Sequence, residues 1–167
     1  MLKMVTQQLF EELHHFKNRL LLDREELLNT LLLAIVDTAE KKGDFICVGD
    51  GLICINNELI EFEQDNRPDY LGYHLSESFE TWFAGQKQRT TRLGIDDFSL
   101  ATDGIFTFSK FDSALYDSAG DIIDTLLTND EGSNSSNMLN SKMIEIRKNW
   151  GLKPTDDLAI VRVIMNK

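Results

Sequence analysis

Apolar residues fall into three kinds of run along the chain. Val5, Leu9, Leu13, Phe16 and Leu20 recur every three or four positions, which predicts an amphipathic helix over residues 4–21. Asp23, with Glu26 three residues on, has the form of a capping box. After it, Leu27, Leu28, Leu31, Leu32, Ile35, Val36 and Ala39 form one wide apolar face. This predicts a second helix from 24 to about 42, with Gly43 as its stop. The next stretch, DFICVGDGLICINNELIEFE, changes period. It reads as strand, turn, strand, turn, strand, broken at Gly49-Asp50-Gly51 and at Asn56-Asn57, and such short connections predict antiparallel pairing.

Residues 64–76 read as irregular, punctuated by Pro68 and Gly72, and ESFETWFAG is compatible with a strand or a short helix. DFSLATDGIF reads as strand and turn. A helix follows over 120–128, capped by Ser118 or Asp121, then a polar loop over 128–137. A further amphipathic helix over 138–149 is stopped by Gly151, and a strand over 158–165 closes the chain. There is no internal repeat and no domain boundary, so 1–167 reads as a single α+β domain of antiparallel sheet covered by helices.

Composition narrows the function classes. At 167 residues the chain should bury roughly 70% of its unfolded surface, so its core needs no disulfide or metal staple. Lys and Arg total 17 against 28 Asp and Glu, a net charge of −11. That balance disfavours nucleic acid and anionic membrane as partners, and it suits divalent cations. Cys47 and Cys54 match no zinc spacing and read as small core hydrophobes of a reducing compartment. No signal peptide or membrane-length run is present, which makes the cytoplasm the expected location.

Candidate chemistry sits at two strand ends. Asp103 follows the apolar run of LATDGIF, and Asp156 and Asp157 stand at the mouth of PTDDLAIVRVI. Taken singly, Asp103-Gly104 is a turn dipeptide, Pro154-Thr155-Asp156-Asp157 is a ready β-turn, and Asp50 is a hairpin residue. Taken jointly, converging carboxylates repel unless a cation lies between them, and a hard divalent ion removes that penalty. Two such ions can clamp a phosphoryl group and activate water. His14 and His15 read as helix-surface residues. His74 is a candidate general acid set against an ordinary packed histidine. Arg67, Arg89 and Arg92 are candidate phosphate contacts set against ordinary surface charges. No glycine-rich phosphate loop occurs.

Three segments together resemble the protein phosphatase 2C family, the PPM-type metal-dependent Ser/Thr phosphatases. They are FICVGDG after the predicted helix 24–40, DDFSLATDGIF with its Thr-Asp-Gly end, and PTDDLAIVRVI with its Asp before a closing apolar strand. The resemblance implies an αββα sandwich with two Mn²⁺ or Mg²⁺ ions, hydrolysing phosphoprotein substrates by metal-activated water. It matches Asp103 and Asp156 to metal ligands. Asp157 stands where the family more often has Asn, Gly104 belongs to the Asp-Gly pair, and Asp50 matches a more peripheral acidic residue. The family's N-terminal acidic pair, its Asp-Gly-His-Gly-Gly-like segment and its phosphate-gripping Arg have no counterpart here. The resemblance therefore covers the C-terminal two-thirds of such an enzyme. It implies a partial sandwich lacking the N-terminal strands, about half of the binuclear site, and weak or no activity for the isolated chain. Sheet edges left uncovered would favour a homo-oligomer. The alternative is a non-catalytic pseudophosphatase that binds a protein partner.

Overall fold

The computed structural model describes residues 1–64, 68–111 and 120–165. Within them the chain is α+β, with antiparallel sheet and helices. It divides into two compact units, Met1–Gly51 with Glu61–Ile95, and Leu52–Ile60 with Asp96–Lys167.

The first unit begins with helix α1, Leu2–Leu20, ended by Leu21 in the left-handed region at φ 55°. Its buried positions are Leu2, Thr6 and Phe10, with Leu13 packed beside them. Leu9, Phe16 and Leu20 of the predicted face are exposed, so the buried stripe is rotated towards Thr6, whose hydroxyl bonds back to the Leu2 carbonyl. The Asp23–Glu26 capping box forms as predicted but starts only one short turn, Arg24–Leu27.

The predicted second helix is replaced by strand β1, Leu31–Asp37. The reason is the unbroken apolar run from Leu31 to Val36, which offers both faces of a strand to neighbours and contains β-branched residues. It pairs antiparallel with β2, Lys42–Val48, from Leu31 opposite Val48 to Asp37 opposite Lys42. The connecting turn is held by Asp37, whose Oδ1 accepts the N–H groups of Ala39 and Glu40. Gly43 is not a helix stop. It lies inside β2, where a Cβ would come within 3 Å of Ile95, Phe45 and Val36. The part of the resemblance that rested on a long helix running into FICVGDG falls away with that helix.

Strand β5, Arg89–Leu93, which the sequence reading did not anticipate, completes a sheet ordered β1-β2-β5. ESFETWFAG is helix α2, Phe79–Gly85, and the Ser78 hydroxyl caps it by accepting the Thr81 N–H at 3.2 Å. Phe10, Phe79, Trp82 and Phe83 form the aromatic part of the core on this sheet, with ring centroids 5.3–6.2 Å apart.

Strand β3, Gly51–Ile55, is buried along its whole length, and so is its Cys54. It does not form a hairpin with β2. The two belong to different sheets, and Gly49-Asp50 carries the chain from one to the other with Gly49 at φ 98°. The second predicted turn is correct: Asn56 and Asn57 both have positive φ and lead into β4, Glu58–Phe62. The second sheet is ordered β4-β3-β6-β9, with β6 Asp97–Thr102 and β9 Ile160–Ile164. β6 and β9 are antiparallel, with Asp97 opposite Ile164 and Ala101 opposite Ile160.

Short strands β7, Phe108–Lys110, and β8, Leu152–Pro154, pair beside this sheet. The helical stretch near 120–128 begins at Asp121, whose Oδ1 accepts the Asp124 N–H, and widens into a π turn over Asp124–Thr128. Ser118 lies outside the described residues. Helix α3, Met138–Glu145, runs into a second π turn, Ile146–Trp150, and ends at Gly151 in the left-handed region. Residues 129–137 are exposed and mostly turns, which is most of the loop expected over 128–137, while Thr128 belongs to the π turn. Leu126, Leu127 and Ile146 close the core beneath β3 and β6.

Candidate functional site

The two acidic strand ends meet through their backbones. β6 ends at Thr102, and Asp103 opens a tight turn, Asp103–Phe106. The Thr102 hydroxyl donates to the Asp157 carbonyl at 3.2 Å and accepts the Ala159 N–H at 2.9 Å. The Thr102 N–H reaches the Ala159 carbonyl at 3.1 Å. On the far side of the turn, the Thr107 hydroxyl donates to the Gly104 carbonyl and accepts the N–H groups of Thr155 and Asp156. The Thr155 hydroxyl returns a bond to the Thr107 carbonyl at 2.9 Å.

Gly104 is the contact point between the segments. It is buried, and a Cβ there would run into the Asp157 carbonyl, 2.9 Å from its carbon and 3.2 Å from the Leu158 Cα. The glycine is therefore required by close approach of two backbones, which is more than a turn preference. The corner it closes carries Asp103, Asp156 and Asp157, all exposed. Asp156 Oδ1 accepts the N–H of Asp157 at 2.8 Å, so one of its oxygens serves its own turn.

The threonines at 102, 107 and 155 were not singled out in the sequence. Their signal was present, because Thr102 and Thr155 lie inside the quoted motifs and Thr107 directly follows one, and a hydroxyl can act as donor and acceptor at once.

The other candidates lie outside these two segments of the chain. Asp50 is half-buried in the turn after β2, in the first unit. His14 and His15 are exposed on α1. His74 is held between two carboxylates, with Nε2 2.6 Å from Asp69 Oδ1 and Nδ1 2.8 Å from Glu77 Oε1. Burial alone would lower its pKa, but the bonds to Asp69 and Glu77 outweigh it and raise the pKa above 6.5. That arrangement favours the imidazolium form and engages both ring nitrogens with carboxylates. Arg92 bonds within its own strand, to the Thr90 hydroxyl and the Thr91 carbonyl. Arg67 lies outside the described residues.

Among the described residues no group of three or more His, Cys, Asp or Glu side chains could hold a metal ion. The carboxylate corner thus falls short of a divalent-metal site by itself, since a hard cation asks for about six oxygen ligands.

No family model and no curated protein matches the chain. Among solved structures, it is similar to the phosphatase domain of the cell fate determinant SpoIIE from Bacillus subtilis. The identity is 16% and the TM-score 0.39, over 83% of this chain and 59% of that one. A second structure of the same domain, presoaked with Mn, matches at 16% identity and TM-score 0.40, over 83% of this chain and 57% of that one. The chain spans less than two-thirds of either, and likenesses this distant carry no functional inference. Among the described residues no helix is long and apolar enough to cross a membrane.

Proposed function

We propose that residues 1–167 form a domain of the metal-dependent phosphatase type, one that acts on phosphate monoesters of phosphoproteins. Asp103 and Asp156 are its metal-binding carboxylates for Mn²⁺ or Mg²⁺, with Asp157 adjoining and Asp50 peripheral. One observation carries the reading. Two segments about 50 residues apart, 102–107 and 155–159, are riveted together by threonine hydroxyls around Gly104, and each presents an exposed carboxylate. A pair of unrelated surface turns has no need of such a junction. The buried free cysteines fit a reducing, cytoplasmic setting.

Because the described residues do not complete a metal shell, no hydrolytic step is assigned to them. The second reading is a non-catalytic protein-binding module. It is favoured by the Asp156 oxygen already engaged in its own turn.

Titration calorimetry with Mn²⁺, run beside p-nitrophenyl phosphate hydrolysis, separates the two readings. The expected result is weak Mn²⁺ binding, reduced by both Asp103→Asn and Asp156→Asn, with little turnover. Brisk turnover abolished by Asp103→Asn would show that the site is complete. Absence of any carboxylate-dependent Mn²⁺ binding leaves only the module.

A further inference from the structure

From Thr81 to Ile95 the chain carries three cations, Lys87, Arg89 and Arg92, and no carboxylate, within a protein of net charge −11. The first two line a cavity of about 460 Å³ in the first unit, together with Lys3, Asp44, Phe83 and Gln86. That size suits a small molecule.

Arg89 is fixed before any ligand arrives. Its Nε–H donates to the Gln86 carbonyl at 3.0 Å, and its guanidinium carbon stands 4.4 Å above the Phe83 ring centroid. Phe83 is itself held in the aromatic core by Phe79 and Trp82. These contacts use the inner edge and one face of the guanidinium. Among the described residues its two terminal amino groups and the Lys87 ammonium have no carboxylate partner.

Two other charged side chains line the cavity. Lys3 is tied to Glu80 at 2.6 Å, and Asp44 Oδ1 accepts the Thr91 hydroxyl at 2.7 Å from directly across the β2–β5 ladder. Asp44 therefore adds an acceptor at the wall, suited to an N–H or O–H of the ligand.

We propose that this cavity is a binding site for a phosphate monoester of small-molecule size. The terminal amino groups of Arg89 and the ammonium of Lys87 hold the phosphate, while Asp44 accepts a donor on the group that bears it. The chemistry follows from the parts. A guanidinium fork matches the spacing of two oxygens of one oxyanion, and an ammonium nearby adds a point charge. The ring beneath Arg89 lowers the entropy lost on binding. The site uses none of the residues of the carboxylate corner and does not depend on the phosphatase reading.

The test is a metal-free amide NMR titration of the whole chain with inorganic phosphate, phosphoserine and AMP, at constant ionic strength maintained with chloride. Saturable shifts at residues 86–91, with dissociation constants of roughly millimolar or tighter, are expected. Phosphoserine or AMP should bind more tightly than phosphate, and whichever wins identifies the group carried. Arg89→Lys, which keeps the charge but not the fork, should weaken binding about tenfold. Lys87→Gln should also weaken it, and Asp103→Asn should change nothing. Absence of saturation, shifts reproduced by chloride alone, or affinity unchanged in both variants would overturn the proposal.

Discussion

The strand pair β6 and β9 carries acidic groups at both ends, and the two ends are built on opposite principles. At one end Asp97 meets Arg162, whose side chain is 1% exposed. Its Nη2 lies 2.5 Å from Asp97 Oδ2 and 2.7 Å from the Thr128 carbonyl, and its Nη1 2.5 Å from the Asn129 carbonyl. Lys142 also reaches the Asn129 carbonyl and its Oδ1. Burial, and then the Arg162 charge, push the pKa of Lys142 down. Cations there close the C-terminal end of the Asp124–Thr128 turn, where free carbonyls concentrate negative charge. At the other end Asp103, Asp156 and Asp157 are exposed, and the joining is done by hydroxyls and backbone. The acid at the first end is neutralised within the protein and serves the fold. Those at the second are left to solvent, which is the condition under which a carboxylate can serve a ligand.

Substitutions should separate the two ends by their cost. The largest loss is expected for Arg162→Ala, which removes the buried donor from Asp97 and the Thr128 carbonyl and leaves the Asn129 carbonyl to Lys142. About 3–5 kcal/mol is the scale for breaking such a pair from one side, readable in urea unfolding. Gly104→Ala comes next. Its methyl group must displace the Asp157 backbone, at a cost of about 1–3 kcal/mol. Its amide NMR shifts should cluster at 102–107 and 155–159 and spare Arg162.

A third node, in the other unit, tests the same contrast through pH. Despite the cost of burial, Asp69 and Glu77 favour the charged form of His74, so its folded pKa lies above its unfolded value near 6.5. Its contribution to stability is fully present below that unfolded value and is lost as pH rises through the raised folded one. His74→Gln should flatten the fall in stability over that interval. The smallest effect belongs to Asp103→Asn, within about 0.5 kcal/mol, since nothing buried depends on that carboxylate. A large loss of folding in Asp103→Asn would mark Asp103 as a structural turn residue and erase the contrast with Asp97.

The sequence alone made parts of this molecule legible. Local chemistry was enough for the capping box at Asp23, the Asn56-Asn57 turn and the Gly151 stop, because each is decided by residues within a turn of one another. The acidic strand ends were legible for the same reason. Spacing could not decide between strand and helix for Leu31–Val36, because a run apolar at every position satisfies either period. Its pairing with β2 settled the matter. Nor could it show that Gly49-Asp50 leads from one sheet into another, that Gly43 and Gly104 are small because other chain segments press on them, or that Arg162 crosses to Asp97. Those features depend on residues far apart in the chain, and only the folded structure brings them into contact.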